Sequence, residues 1–206
     1  MSKRRGWLLT VWAVGLVLPF ASLASPGELD PATGRVVALE GAVKINGKLA
    51  TVGQVIQRGD KIDTGKKGTI SVRLPNAAFR ATRSTKLTIA ELVSKASRLR
   101  VKAGRVLSAV IPDTKYEVES PVVVAAVRGT TFFVEVQRAT QTYVCVCTGT
   151  LELRDLLTRG PRQVLSATHH AANLVKQRGD VNTYESAGML NHTDKEVEEV
   201  ESYLRE

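Results

Sequence analysis

The chain has 206 residues, of which 43% are hydrophobic and only 5% aromatic, and it carries a formal net charge of +9. This length allows one domain with extensions and argues against several domains, and the hydrophobic content fits a globular protein with an aliphatic core.

The N-terminal residues have the parts of a secretory signal. A basic stretch at residues 3–5 precedes an apolar stretch at residues 7–20, and small residues surround Ala24. We therefore expect a cleaved signal over residues 1–24. An uncleaved membrane anchor is the alternative, because the apolar stretch is just long enough to span a bilayer. Either outcome makes the rest of the chain periplasmic or otherwise exported, so we expect no nucleic acid partner.

A linker at residues 25–33 leads into a long region of short alternating segments. Asn46-Gly47 is a strong signal for a two-residue hairpin turn. Further turn signals recur about every ten residues, which is typical of all-β domains. We predict an all-β domain over residues 34–167, as a sandwich- or solenoid-like roll of short, mostly antiparallel strands.

The centre of this region predicts three consecutive strands. The apolar run at residues 122–127 is typical of a strand covered on both faces. A turn is expected at residues 128–130, followed by two alternating segments. In the second of these, Cys145 and Cys147 share one face and valines occupy the other. Gly149 is interpreted as the next turn.

Four motifs occur in the order that FecR-type domains have. They are Gly59-Asp-Lys-Ile-Asp-Thr-Gly65, Gly104-Arg-Val-Leu107, Val127-Arg-Gly-Thr-Thr-Phe-Phe-Val134 and Tyr143-Val-Cys-Val-Cys-Thr-Gly-Thr-Leu151. Together they resemble the FecR-type family over roughly residues 34–154. The resemblance implies a periplasmic domain that receives a signal through protein contacts.

The best-known FecR-type proteins join this domain to a cytoplasmic anti-sigma segment and answer to an outer-membrane iron transporter. Because only about six residues precede the apolar stretch at residues 7–20, we expect no such segment. We therefore do not expect direct control of a sigma factor, and a binding or scaffold module of the envelope remains.

The last part of the chain, residues 168–206, is expected to be an extension of the β domain. Residues 164–166 are interpreted as the last strand. Thr193 and Glu196 form a capping box, which predicts a helix near residues 194–205. This helix is acidic and amphipathic, and we expect it to dock on the basic β domain rather than to recruit a partner.

Every cysteine and histidine of the chain lies in its final third. These residues are Cys145, Cys147, His169, His170 and His192. Thiolate and imidazole are ligands for transition metals such as zinc or iron. The two cysteines share one strand face, and one histidine of the adjacent pair is expected to join them, with His192 closing a set of four. The sequence therefore predicts a Cys/His metal site.

Two other interpretations of the cysteines stay open. They can be small core residues, or they can form a disulfide, which would be strained between residues two apart on one strand. The spacing matches no standard zinc motif, and the absence of C-x-x-C-H excludes a c-type haem.

A second candidate site is a basic strand face. Arg98, Arg100 and Lys102 alternate with apolar residues, and Glu91 is the single acid among residues 80–105. Such a stripe attracts anionic lipids, envelope polymers or an acidic protein, the acidic C-terminal tail being the nearest candidate. The alternative is an ordinary solvated strand face that discourages edge aggregation.

No catalytic motif is present, so we expect a protein that is not an enzyme. Three hypotheses remain. The first is an exported FecR-type module that interacts with an envelope protein or receives a signal from it. The second is a metal- or redox-linked sensor, and the third is a domain that binds anionic envelope polymers.

Overall fold

The computed structural model describes residues 33–158 and 160–205, so the predicted signal and most of the predicted linker lie outside the described residues. This part of the chain contains sixteen β-strands and one C-terminal α-helix. The all-β prediction with a short terminal helix is therefore confirmed. Among the described residues, no helix is long and apolar enough to cross a membrane.

The strands follow one another with short connections. Those of the first half are β1 (Gly34–Glu40), β2 (Lys44–Ile45), β3 (Lys48–Leu49), β4 (Val55–Ile56), β5 (Lys61–Asp63), β6 (Thr69–Arg73), β7 (Ala77–Ala81), β8 (Lys86–Val93) and β9 (Ala96–Val110). The second half contains β10 (Lys115–Glu119), β11 (Val123–Val127), β12 (Thr131–Arg138), β13 (Gln141–Asp155), β14 (Gln163–Ala167), β15 (Ala171–Arg178), β16 (Val181–Ala187) and α1 (Asp194–Ser202).

Two sheets share the long strands β9 and β13. The first sheet has the order β4-β1-β6-β7-β9-β12-β13-β15-β16. The second has the order β3-β2-β5-β8-β9-β10-β11-β13-β14. Neighbouring strands of the described chain are antiparallel, apart from the parallel pair β9 and β10. The two sheets enclose one apolar core. Strands β9, β10, β11, β13 and β12 pair in a closed ring and form a small barrel.

Each shared strand bends at a glycine where it passes between the sheets. Gly104 in β9 has a φ of +88° and Gly149 in β13 a φ of +105°. Residues before Gly149 pair with β12 and β15, whereas those from Gly149 onward pair with β11 and β14. The expected turn at Gly149 is therefore wrong, because glycine allows the strand to bend without ending. The expected turn before β12 is confirmed.

The first sheet is apolar on both faces. Its inner face contributes Phe132, Val144 and Val146 to the main core. Its outer face carries a second apolar cluster that α1 covers. The cluster consists of Ala78, Leu107, Ala109, Phe133, Tyr143, Cys145, Cys147 and Ala172 from the strands and of Val197 and Val200 from α1. The predicted alternation along β13 is confirmed, with valines inward and cysteines outward.

The interpretation of residues 164–166 as the last strand is wrong, because β15 and β16 follow β14 and extend the first sheet beyond β13. These two strands are mostly half-buried, so their sequences lack a clean apolar alternation. The signal that was overlooked is Gly179-Asp180, a two-residue turn between them in which Gly179 has a φ of +61°.

The capping box is confirmed. Thr193 Oγ1 accepts a hydrogen bond from the Glu196 backbone at 3.3 Å, and the Glu196 carboxylate accepts one from the Thr193 backbone at 2.9 Å. The helix docks on the first sheet, where Glu199 pairs with Arg80 at 2.7 Å. The acidic tail therefore contacts Arg80 rather than the basic stripe that sequence reasoning offered as its partner.

A buried carboxylate holds part of the second sheet together. The Glu117 side chain is 3% exposed and pairs with Arg98 at 2.8 Å, with Lys115 at 3.3 Å and with Arg154. Burial alone would raise the pKa of Glu117, but the charges of Arg154, Arg98 and Lys115 outweigh it and hold this pKa below its usual value.

We expect Gly104→Ala to lower the free energy of unfolding by roughly 2–4 kcal/mol, because the new Cβ would overlap Thr85 in addition to the cost of a positive φ. Gly47→Ala is the matched control, since Gly47 has a φ of +83° but no heavy atom within 4 Å of the added Cβ. The control should lose roughly 1 kcal/mol. Equal losses in urea unfolding would contradict the close contact at the bend.

We expect Glu117→Gln to cost roughly 2–4 kcal/mol at neutral pH, because three cations lose their counter-charge. The folded-state pKa lies below the unfolded one, so this stability is present above the ordinary glutamate pKa and is lost as pH falls through the lowered folded pKa. The difference between wild type and variant should therefore shrink in acid. Glu91→Gln is the control, since Glu91 is half-exposed and 3.8 Å from Arg98. Equal effects of both changes would refute the buried cluster.

Candidate metal centre

Four of the five predicted ligands converge on the outer face of the first sheet. Cys145 and Cys147 come from β13, His170 from the connection before β15, and His192 from the loop before α1. One potential ligand atom from each lies within 4.8 Å of all the others. Three separate parts of the chain therefore meet at one point, and both sulfurs belong to it.

The distances between neighbouring ligand atoms suit a tetrahedral ion. Cys145 Sγ lies 3.5 Å from His170 Nδ1, and Cys147 Sγ lies 3.5 Å from His192 Nε2. A zinc ion binds sulfur at about 2.3 Å and nitrogen at about 2.0–2.1 Å, so tetrahedral angles separate S and N by about 3.6 Å. Two edges of the tetrahedron are thus already close to their bound length.

Both imidazoles are oriented by their far nitrogen atoms. His170 Nε2 lies 2.8 Å from the Asp194 carboxylate, and His192 Nδ1 lies 2.8 Å from the carbonyl oxygen of Leu190. Both partners are acceptors, so the far nitrogens carry the protons in the neutral rings. The nitrogens that face the sulfurs then present lone pairs, which is the arrangement of metal-ligating histidines.

The two histidines are positioned by left-handed backbone, a conformation that most residues avoid. His170 has a φ of +46°, and Asn191, directly before His192, has a φ of +61°. The His170 backbone is held by a hydrogen bond of 3.1 Å from its N–H to the Cys147 carbonyl. Left-handed backbone at residues other than glycine clusters at functional sites. Both turns therefore use left-handed backbone at the positions that aim the imidazoles.

The loop that carries His192 is fixed by buried side chains. The Tyr143 hydroxyl donates to the Gly188 carbonyl at 2.7 Å and accepts from the Leu190 backbone at 3.0 Å. The Phe133 ring stacks on the His192 ring with centroids 4.4 Å apart. His192 is 6% exposed, and its contacts with Phe133 and the Leu190 carbonyl hold the imidazole in one orientation.

Asn191 adds a further anchor to this loop. Its side-chain amide donates to Glu135 at 2.8 Å, and Glu135 also pairs with Arg105 at 2.7 Å. The loop is therefore tied to both β12 and β9, and the position of His192 depends on the first sheet.

The two thiols are free, buried and not joined in a disulfide. The hydrogen bond from Cys147 and the two imidazoles lower the pKa of the Cys145 thiol against the effect of burial. The same hydrogen bond and burial raise the pKa of the Cys147 thiol. The two thiols therefore titrate as a coupled pair, in which loss of the proton from one sulfur opposes its loss from the other.

His169 takes a different position from His170. It is exposed, and its ring packs against that of His170 with centroids 4.6 Å apart. Its ligand atom groups with those of His170 and Asp194 but not with the sulfurs. Sequence reasoning had identified neither Asp194 nor Tyr143 as part of the site. The capping box did mark Asp194 as a first-turn residue, but its contact with His170 depends on the fold.

The basic strand face is largely paired with acids. Arg98 lies 2.8 Å from Glu117, and Arg100 lies 2.8 Å from Glu119. These acids alternate along β10, and the parallel register of β9 and β10 places each beside its arginine. Lys102 is exposed. Neither arginine is therefore an uncompensated positive charge.

A model of the FecR protein family matches residues 60–152 of this chain. The chain contains a FecR-type domain. The matched segment includes both cysteines of the candidate centre, whereas His170, His192 and α1 lie beyond it. The centre thus joins the FecR-type core to the segment that follows. No curated protein matches the sequence significantly.

Two crystal structures of a candidate anti-sigma factor from Parabacteroides distasonis ATCC 8503, at 1.65 Å and 2.50 Å resolution, resemble the FecR-type chain. Each is 16% identical to it, with a TM-score of 0.52, over 62% of this chain. The chain spans 60% of the length of that protein. At this identity the likeness shows a shared fold alone.

We expect Tyr143→Phe to lower the free energy of unfolding by roughly 1–3 kcal/mol, because Gly188 and Leu190 each lose a hydrogen-bond partner. Tyr184→Phe is the matched control, since its hydroxyl makes one bond of 3.4 Å to Asp155. Chemical unfolding measures both. A Tyr143 variant no less stable than the control would show that the hydroxyl does not hold the loop.

Proposed function

We propose that this chain is a non-enzymatic FecR-type regulatory module of the cell envelope whose state is set by a Cys2His2 metal centre. The observation that carries the proposal is the convergence of Cys145, Cys147, His170 and His192 within 4.8 Å. The far nitrogens of both imidazoles are already bound to acceptors. Packing of a hydrophobic core alone does not require two thiols and two imidazoles to converge on one point.

Zinc fits the ligand set best. Two thiolates and two imidazoles favour a tetrahedral ion with borderline-soft character. Catalytic zinc sites leave one position for water or substrate, whereas structural sites use four protein ligands. Four protein ligands in a buried position therefore support a structural or sensing role over catalysis.

The regulatory role rests on the FecR-type domain and on the expected export. The basic and apolar stretches of residues 1–24 support a location in the envelope, where a protein partner would deliver or receive the signal. A metal centre between the FecR-type core and the C-terminal segment would link such a partner to metal supply. This unites the first two hypotheses drawn from the sequence.

The third hypothesis, a binder of anionic envelope polymers, receives less support. Arg98 and Arg100 form ion pairs with Glu117 and Glu119, and of the three basic residues only Lys102 has no ion pair among the described residues. Ion pairs of this kind reduce the field that would attract a polyanion.

We expect the purified mature protein to bind about one equivalent of zinc, as measured by elemental analysis after dialysis. Cys145→Ser and His192→Gln should abolish stoichiometric binding because each removes one ligand. His169→Gln is the matched control and should retain the metal, since its imidazole lies outside the set of four. Cobalt substitution should give thiolate-to-metal absorption in the wild type and lose it in Cys145→Ser.

Metal well below one equivalent in the wild type, with both thiols unreactive until unfolding, would leave Cys145 and Cys147 as core residues. Loss of metal from His169→Gln with retention in His192→Gln would mean that a different set of ligands is used. Either result overturns the proposed centre.

A further inference from the structure

The helix α1 covers an apolar part of the first sheet. Val200 is fully buried and Val197 is 9% exposed. Beneath them lie Ala78, Leu107, Ala109 and Phe133, which face away from the main core. The small side chains of the alanines allow the helix to approach the sheet closely. Without α1, this surface would be an exposed apolar patch of the kind that binds a partner.

The metal centre and α1 are directly connected. His192 precedes the helix cap Thr193, and Asp194 in the first turn holds His170 Nε2 at 2.8 Å. Two of the four candidate ligands are therefore attached to the N-terminal end of the helix, one through the backbone and one through a side chain. A metal that binds these ligands would fix that end against β13.

The helix has few other attachments. It is nine residues long, and helices of this length are marginal in water unless they dock. Its polar contacts with the sheet are Glu199 with Arg80 at 2.7 Å and Glu201 with Thr131 at 2.7 Å. Val197 and Val200, with Tyr203 and Leu204 just beyond the end of the helix, pack on the apolar cluster of the sheet. A helix of nine residues that is held mainly by these side chains is expected to leave the sheet readily when its N-terminal end is free.

We propose that the surface beneath α1 is a docking site for an acidic amphipathic helix of another protein, which α1 occupies in cis while metal fills the Cys/His centre. The inference rests on the proposed metal function and adds what the metal controls. Loss of the metal releases α1 and exposes the surface. Metal occupancy therefore determines whether α1 or the partner helix covers it.

The chemistry of the partner follows from the rim of this surface. The cleft at the N-terminal end of α1 is lined by Lys66, Lys67, Arg80, Arg83 and Arg105 among others. Arg80 and Arg105 are paired with glutamates, whereas Lys66, Lys67 and Arg83 form no ion pair within the described residues. This surplus of positive charge favours a helix at least as acidic as α1, with two apolar residues three positions apart, as Val197 and Val200 are.

Hydrogen exchange of the full mature chain tests the metal control. We expect the amides of residues 197–204 to be protected with one equivalent of zinc and to lose at least tenfold in protection after chelation. His169→Gln should behave like the wild type. If zinc binds stoichiometrically but protection does not depend on it, this inference is overturned and the metal centre stands. If zinc does not bind, the proposed function itself is overturned.

The docking surface is tested with a fluorescent peptide that has the sequence of residues 193–205. We expect this peptide to bind two forms at least tenfold more tightly than it binds the zinc-loaded wild type. They are the full chain after removal of zinc by a chelator and the zinc-loaded variant Val200→Asp, because α1 leaves the surface free in both. Elemental analysis confirms that Val200→Asp keeps its metal. A peptide with both valines changed to serine is the control and should not bind.

Equal binding of the peptide to the closed and opened forms, or equal binding of the serine control, would overturn the docking surface. High salt should weaken specific binding because the rim is basic. Binding of anionic vesicles but not of the peptide to the opened form would identify the surface as a membrane contact and would also overturn the inference.

Discussion

The alternation of side chains along β13 is the constraint on which the candidate site depends. A strand places successive side chains on opposite faces, so the burial of Val144 and Val146 in the main core forces Cys145 and Cys147 to the outer face. A shift of one residue would place the sulfurs between the sheets. The same packing that builds the FecR-type core therefore presents two thiols side by side on its outer surface.

The chain after the family match is organised around this surface. The connection before β15 brings His170 to the sulfurs, and the loop after β16 brings His192. Both histidines need unusual backbone nearby, and buried polar contacts hold the loop in place. The helix then covers the remaining apolar surface. The C-terminal segment is thus added to the FecR-type core in a way that makes the candidate ligands, the loop and the helix depend on one another.

The parts of this arrangement that depend on local sequence patterns could be predicted from the sequence. Alternation predicted the shared face of Cys145 and Cys147, and the capping box predicted the start of α1. Sequence reasoning missed the bend at Gly149, because a glycine in a strand predicts a turn as readily as a bend. It missed β15 and β16, since these strands at the end of the first sheet are mostly half-buried and lack a clean apolar alternation. His170 rather than His169 reaches the sulfurs because the backbone of His170 has a positive φ, and no sequence pattern predicts that conformation.

X-ray absorption at the metal edge of the zinc-loaded protein is the most direct test of the Cys2His2 centre, because it reports the identity and distance of the ligand atoms. A Cys2His2 centre should give a four-coordinate ion with two sulfurs at about 2.3 Å and two imidazole nitrogens at about 2.0–2.1 Å. A first shell of oxygen and nitrogen without sulfur would contradict it, because the metal would then lie away from Cys145 and Cys147.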